Sequence, residues 1–319
     1  EQYDSIVGSR TVRRPEQADA AVLQIPEAGT SIAIAIDGNG RRVACDPYRG
    51  VIEGVLECAQ NLACTGAEPL GLTNCLNFGN PEKPNVAWQL TRAIDGLAAV
   101  CNELAIPVVG GNVSLYNETE KGPIYPTPVV GLVGELPNPA SVPGIALADG
   151  DDLVLIGPFT PALAGSELAK RRGELEPGLP EISIGEVATA LALVREVVRG
   201  GELSAAHDVS DGGLACAVAE MAIAGDVGVT VDLAQLMQVR GCDEEEALFG
   251  EGPGGILTSA PAARIEALKS GAAAAGVGCV RLGTAGGTTI ELEAGQTSVS
   301  VPVESAADSW RSLGARLSG

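Results

Sequence analysis

Along this chain the spacing of hydrophobic positions alternates between two periods. Short apolar runs rich in β-formers at 20–25 and 32–36 predict strands. From 50 to 66 the apolar residues Val51, Val55, Leu56, Ala59 and Leu62 recur near a 3.6-residue period and predict a helix. A strand at 70–73, a long helix at 84–105 and strands at 106–109 and 128–136 complete the first half. Prolines, glycines and small residues around 138–150 predict a linker between a domain at 1–137 and a second at 151–319. The second half opens with a strand at 151–157 and a Gly/Pro-rich loop to about 182. A helix at 183–199, a strand at 203–207 and a helix from Gly212-Gly213 to 224 follow. Strands at 228–233 and 254–259, a helix at 261–275, strands near 279–283, 288–293 and 297–303 and a helix around Trp310 end the chain. This order predicts an α/β (α+β) sandwich rather than a run of regular βαβ units.

Composition narrows the class. A length of 319 residues predicts two domains of ordinary size. Hydrophobic residues make up 45% and aromatics only 3%, so the cores must rest on Ala, Val, Leu and Ile. With 20 basic against 41 acidic residues the net charge is −21. That excludes unspecific binding to a nucleic-acid backbone or an anionic membrane surface, both of which need a basic footprint. No apolar run approaches the roughly 20 residues of a spanning helix. The chain starts Glu1-Gln2-Tyr3-Asp4, which is not a signal peptide and lacks a starting methionine; a processed product or an excised fragment is expected. Eight cysteines are scattered without CxxC or Cys/His metal spacing, which predicts free thiols, small core residues at Cys58 and Cys64, and a reducing cytoplasm.

Two segments carry candidate chemistry. In Val108-Val109-Gly110-Gly111-Asn112-Val113-Ser114-Leu115-Tyr116-Asn117-Glu118 an apolar strand runs into two glycines and a series of polar groups. A Gly-Gly turn permits close backbone approach and an anion-binding nest. Asn112 and Glu118 offer hard oxygens of the kind Mg²⁺ takes beside phosphates. Thr73-Asn74-Cys75-Leu76-Asn77-Phe78-Gly79-Asn80-Pro81-Glu82-Lys83-Pro84 repeats the design, a strand followed by a proline-marked turn and a helix. Asp37 ends a strand before Gly38-Asn39-Gly40 and suits either Mg²⁺–nucleotide binding or an Asx turn. Arg41 and Arg42 are free to meet phosphate or to decorate an edge. His207, the only histidine, precedes Asp208, Asp211 and a glycine-led helix. This is either a polar site at a helix N-terminus or a capped helix with a histidine packed between domains. Glu244-Glu245-Glu246 reads as a solvated helix face.

Together these segments resemble phosphoribosylformylglycinamidine synthase. Cys45-Asp46-Pro47-Tyr48 with Gly50, Tyr125-Pro126-Thr127-Pro128-Val129-Val130-Gly131 and His207-Asp208-Val209-Ser210-Asp211-Gly212-Gly213-Leu214 support the resemblance in the family's order, over nearly the whole chain. The resemblance implies a two-domain fold like that of aminoimidazole ribonucleotide synthetase, with an N-terminal barrel-forming sheet domain and a C-terminal α/β sandwich. Family synthases hold two tandem copies of this unit, and this chain looks like the second copy.

The implied activity is ATP-dependent C–N ligation in purine biosynthesis. ATP phosphorylates the formyl amide oxygen of formylglycinamide ribonucleotide, and ammonia displaces phosphate to give the amidine. Residue by residue, the resemblance places Asn74, Gly111 and Asp37 at ATP, Asn112 at Mg²⁺ and Ser114 at substrate; many relatives carry Asp at the position of Asn74. No catalytic acid–base residue is implied here, because the family's candidate histidines lie in the first copy. His207, Asp208, Asp211 and Glu251 are auxiliary candidates. In Phe249-Gly250-Glu251-Gly252-Pro253-Gly254-Gly255, glycines stand where the family has a Ser and an Arg. The implied partners are the N-terminal half of the synthase, a glutaminase subunit and a small ammonia-transfer subunit. A homodimer of the isolated half, a stand-alone ATP-using enzyme and a non-catalytic nucleotide-binding module are the alternatives.

Overall fold

The structure, a computed structural model, describes residues 6–14 and 16–312. The four opening residues read above lie outside them.

The first half runs β1 (Thr11–Arg13), β2 (Ala21–Ile25), β3 (Thr30–Asp37), α1 (Gly40–Cys45), α2 (Pro47–Cys64), β4 (Glu68–Asn77), α3 (Pro84–Glu103), β5 (Val108–Ser114), the small hairpin β6 (Glu118–Thr119) and β7 (Gly122–Pro123), and β8 (Thr127–Leu136). Six strands form one sheet in the order β1-β2-β3-β8-β4-β5, antiparallel except for the parallel pair β4 and β5. Helix α2 starts ahead of its apolar period. Asp46 caps it by accepting N–H bonds from Tyr48 and Arg49, and Pro47 fills the first turn.

Strand β3 shows the two faces of this sheet. Ala33 and Ala35 are buried in the core shared with α2, while Ile36 is 71% exposed. On the same open face Ile34, Ile36, Leu70, Thr73, Cys75, Val109 and Val133 line a shallow apolar depression of about 460 Å³. The edge strand β5 borders it, and no described element covers either.

The second half contains β9 (Asp152–Ile156), α4 (Glu167–Arg172), α5 (Ile184–Arg199), β10 (Ala205–Asp208), α6 (Gly213–Gly225), β11 (Val229–Asp232), α7 (Ala234–Arg240), α8 (Glu244–Phe249), β12 (Ile256–Ala260), α9 (Ala262–Ala274), β13 (Cys279–Ala285), β14 (Thr289–Ala294), β15 (Thr297–Pro302) and α10 (Val303–Arg311). Its seven strands lie in the order β10-β12-β9-β13-β11-β14-β15. Central strand β9 is buried throughout. Leu153 and Leu155 enter the core with α6, α7 and α8, and Val154 and Ile156 enter the other with α5 and α9. This two-sided burial is the α/β sandwich the pattern predicts.

That second core is continuous with the first half. Val187, Leu191 and Val194 of α5 share it with Val55, Leu56 and Leu62 of α2. The segment between β8 and β9 is tied down as well. Val142 and Leu147 are buried, Ile145 N–H donates to the Gln17 carbonyl at 3.1 Å, and Leu147 N–H donates to the Met221 carbonyl at 3.1 Å.

Candidate functional site

The opening parts of both polar segments turn out to be strand rather than turn, and the proline-marked turn falls at 78–83, ahead of α3. Strand β4 continues to Asn77 and β5 to Ser114, paired Thr73 with Gly110, Asn74 with Gly111, Cys75 with Asn112 and Asn77 with Ser114. Neither Gly110 nor Gly111 has positive φ, so the expected anion nest is absent from this strand. The backbone groups a nest would turn toward a ligand are directed along the sheet instead.

Register then sorts the predicted ligands. Asp37 pairs with Val130, Val130 with Asn74 and Asn74 with Gly111, one row across four strands on the helix-covered face. Asn112 and Ser114 belong to the opposite, open face, because successive side chains alternate. The missing side chain at Gly111 has a geometric reason: an added Cβ would stand 2.6 Å from Asn74 Oδ1 and 3.1 Å from the Asn74 carbonyl oxygen. Asn112 is exposed, with its amide N–H 3.5 Å from Cys75 Sγ. Ser114 is held by Asn117, whose side-chain N–H donates to the Ser114 carbonyl at 2.9 Å and to Phe78 O at 3.1 Å. Glu118 departs from the reading as a metal ligand. Its carboxylate takes Lys83 Nζ at 2.7 Å and the Asn80 N–H at 3.2 Å.

The four auxiliary candidates all face the first half of the chain. Asp211 Oδ1 accepts Asn39 Nδ2 at 3.1 Å. It does not cap α6, whose N-cap is Gly212 with no side-chain bond. Glu251 Oε1 accepts the N–H of Glu167 at 2.7 Å and of Gly212 at 2.8 Å, joining the starts of α4 and α6. Its other oxygen lies 3.8 Å from Arg42 Nη1. Arg42 is therefore not a phosphate ligand. It is buried and grips Glu53 with two bonds, one of them 2.8 Å from Nη2, and donates to the Ala164 carbonyl at 3.0 Å. Arg41 donates to the Glu174 carbonyl at 2.6 Å. The acidic run at 244–246 is partly committed too, through a capping box from Asp243 to Glu246 and an ion pair of Glu245 with Arg172.

Two carboxylates missed in the sequence, Glu57 and Asp19, join Asp37 and Asp208 at this interface. Asp37 turns one oxygen to its neighbour's N–H at Gly38 and lies beside the Glu57 carboxyl. Its Oδ2 is buried without a partner, as is Asp208 Oδ2. Burial pushes the Asp37 carboxyl up, and pushes Glu57 far up with help from the Asp37 charge. Asp208 rises through burial and then through Asp19. A cation-seeking oxygen at Asp37 beside Glu57 is a donor set that fits Mg²⁺. Asn112 brings a single amide oxygen. The sequence did carry a signal: Glu53, Glu57 and Asn61 recur every four residues along an otherwise apolar helix.

Burial, opposed by its two N–H bonds, lifts Glu251 to about 7. With the folded pKa above the unfolded one, the folded state holds the extra proton between about pH 4.5 and 7. The Glu251 contribution to stability is therefore full below about pH 4.5 and is lost as pH rises through about 7, roughly 3 kcal/mol in all. Glu251→Gln keeps the oxygen that accepts both N–H bonds and removes the titration. Its urea midpoint should change less between pH 5 and pH 8 than that of the parent chain, and should exceed the parent's at pH 8. Equal slopes for the two proteins would overturn this.

Comparison with known proteins places this geometry. Phosphoribosylformylglycinamidine synthase subunit PurL of Moorella thermoacetica is 44% identical over 314 residues, covering 97% of this chain and 42% of that protein. The chain thus spans less than half the length of the curated relatives it matches. The solved structure described as T. maritima PurL complexed with FGAR superposes with a TM-score of 0.75 at 17% identity, over 93% of this chain and 47% of that one. The structure of tt0281 from Thermus thermophilus superposes with a TM-score of 0.62 at 24% identity and covers 86% of this chain and 88% of its own. Two family models match in tandem, AIR synthase related protein, N-terminal domain over residues 17–136 and its C-terminal domain over 148–293, so the chain belongs to the AIR synthase related proteins.

Proposed function

We propose that this chain supplies the C-terminal half of a phosphoribosylformylglycinamidine synthase, the ATP-dependent ligase that converts formylglycinamide ribonucleotide to formylglycinamidine ribonucleotide. One observation carries the reading. Asn112 and Ser114 stand on the open face of β5, whose outer edge pairs with no described strand, so the site needs a second polypeptide surface to close it. Closure matters chemically, because phosphorylating an amide oxygen and trapping the product with ammonia require that water be kept out. In this reading Asn74 and Gly111 contact the nucleotide and Ser114 the substrate at the outer edge of β5, where the two faces of the sheet meet. Asn112 gives Mg²⁺ one oxygen, and the remaining ligands come from phosphates and the completing half. Mg²⁺ would neutralise developing phosphate charge. The N-terminal half of the synthase is the completing partner, with a glutaminase subunit and a small subunit delivering ammonia. The eight thiols, none of them in a disulfide, suit a cytoplasmic enzyme.

The test is reconstitution. With Mg·ATP, ammonia and formylglycinamide ribonucleotide, the chain should turn over only after the N-terminal half is added. Turnover at an ordinary enzyme rate by the chain alone would favour a stand-alone enzyme instead. The buried Asp37 oxygen favours a second reading, a structural nucleotide bound and never hydrolysed. A rise in Tm with Mg·ADP that Asp37→Asn abolishes and Asn112→Ala leaves intact would support it.

The open face also predicts a selective lesion. Ile36 is 71% and Val109 73% exposed, so Ile36→Asp with Val109→Asp should shift the chain's own stability by only about 0.5 kcal/mol. The same pair of changes should weaken assembly with the N-terminal half at least a hundredfold, measured by sedimentation. Unchanged assembly would place the interface elsewhere.

A further inference from the structure

Cys75 of β4 stands opposite Asn112 of β5 in the parallel register, on the open face of the sheet. The thiol is half-buried, belongs to no disulfide and lies between two amides. Its Sγ is 3.6 Å from Asn77 Oδ1 on one side and 3.5 Å from Asn112 Nδ2 on the other. A thiol is a weak donor and a weak acceptor, so its direction is set by whichever neighbour is itself fixed. Asn77 is that neighbour. Its Nδ2 donates to the Cys75 carbonyl at 3.1 Å and to the Thr127 carbonyl at 3.0 Å. Both amide hydrogens are thereby spent on main-chain oxygens of β4 and β8, and a flipped amide would set its own oxygen against those carbonyls. Asn77 Oδ1 is therefore an acceptor, and the thiol hydrogen points to it. The sulfur is left with lone pairs, which only a donor can meet. Asn112 turns its Nδ2 to the sulfur, and its Oδ1 is left for a ligand.

We propose that Cys75 is a positioning residue of the synthase: anchored by Asn77, its thiol holds the Asn112 amide with the oxygen toward Mg²⁺ and the N–H groups away from it. The proposal rests on the reading of Asn112 as a Mg²⁺ ligand. An amide needs such a device more than a carboxylate does. A carboxylate presents an oxygen whichever way it turns, whereas an amide turned over presents two N–H donors and repels a cation. Asn112 is exposed, so packing does not choose between its two orientations. Among the described residues the sulfur is the one hydrogen-bond partner of its side chain. The relay also joins the two polar motifs. Register brings Cys75 beside Asn112, and the carbonyls that hold Asn77 come from β4 and β8. Outer groups of this kind orient the atoms that bind a metal without touching the metal themselves.

The test compares Cys75→Ala with Cys75→Ser. Both remove the bulk of the sulfur, but only serine keeps a donor and an acceptor, so a packing role treats the two alike. The variants are made in this chain and reassembled with the N-terminal half. Cys75→Ala should raise the Mg²⁺ concentration that gives half-maximal rate about threefold to tenfold, with kcat at saturating Mg²⁺ within about twofold of the parent, as loss of one hydrogen bond predicts. Cys75→Ser should stay within about twofold of the parent in both quantities. A readout independent of turnover is Mn²⁺ binding in the presence of ADP, followed by electron paramagnetic resonance. One class of bound Mn²⁺ should weaken by the same factor in Cys75→Ala and keep near-parental affinity in Cys75→Ser. A parental metal requirement in Cys75→Ala, or equal losses in the two variants, would overturn the proposal. Asn112→Ala separates it from the reading beneath it. If Asn112→Ala keeps the parental Mg²⁺ requirement, Asn112 is no ligand and that reading fails. If Asn112→Ala raises the requirement and Cys75→Ala does not, the role of the thiol alone fails.

Discussion

Arg42→Ala should destabilise the chain by about 3–5 kcal/mol, read as a lower urea midpoint. Arg42 and Glu53 are buried to within 6% and 7% side-chain exposure, and Glu251 lies close to the same guanidinium. Removing the cation leaves Glu53 without its buried counter-charge, which costs far more than the pair contributes. The neighbouring carboxylates raise the Arg42 guanidinium further despite its burial, so it never relieves the strain by losing its proton. The diagnostic comparison is Arg42→Met with Glu53→Leu, which removes both charges at similar volume. That double variant should recover most of the lost stability, and a double variant as unstable as Arg42→Ala would show that packing rather than charge dominates. Because Arg42 joins α1 to the Ala164 carbonyl and approaches Glu251, the loss should also loosen the two halves from each other.

Gly111→Ala should lower kcat/KM of the reassembled synthase by about 100-fold, while Gly110→Ala should stay within about twofold. The two glycines are neighbours in sequence and opposite in consequence. A Cβ on Gly111 meets Asn74 Oδ1 at 2.6 Å and its Cγ at 3.0 Å, so the amide proposed to contact the nucleotide must move. A Cβ on Gly110 meets nothing closer than Thr73 Oγ1 at 3.9 Å. Displacing a positioning group by an ångström is enough to produce such a loss. Comparable activity for the two variants would mean that Asn74 has no part in positioning the nucleotide.

Strand and helix identity was legible in the chain's own periodicity. Local alternation and the 3.6-residue repeat reflect which side of an element is buried, and that is a local property. The apolar run at 32–36 marked β3, though not its two faces, and α2 was recognisable from Val51, Val55 and Leu62. The Asp46-Pro47 cap went unread only because the apolar period begins later. The long irregular motifs were legible as well, and with them the family. What periodicity could not show is where polar strands end. Thr73 to Asn77 and Gly110 to Ser114 look like turns because polar and glycine residues ordinarily break pattern. They remain strand because β8 and the parallel β4–β5 pairing satisfy their backbone groups, a contact made between segments distant in sequence.

The same distance hid the interface chemistry. Glu57 lies in α2, Asp19 ahead of β2 and His207 in β10; only folding brings them to the interface between the two halves, where removal of water makes each unpaired charge costly. Arg42 illustrates the division most sharply. Its sequence neighbourhood allowed a phosphate ligand or a surface charge, and tertiary packing spent it on Glu53. Local pattern therefore determined the elements, the family and the candidate residue types. Tertiary structure decided which face each residue occupies and which charges must neutralise one another, because burial and electrostatic compensation depend on neighbours the chain meets only after folding.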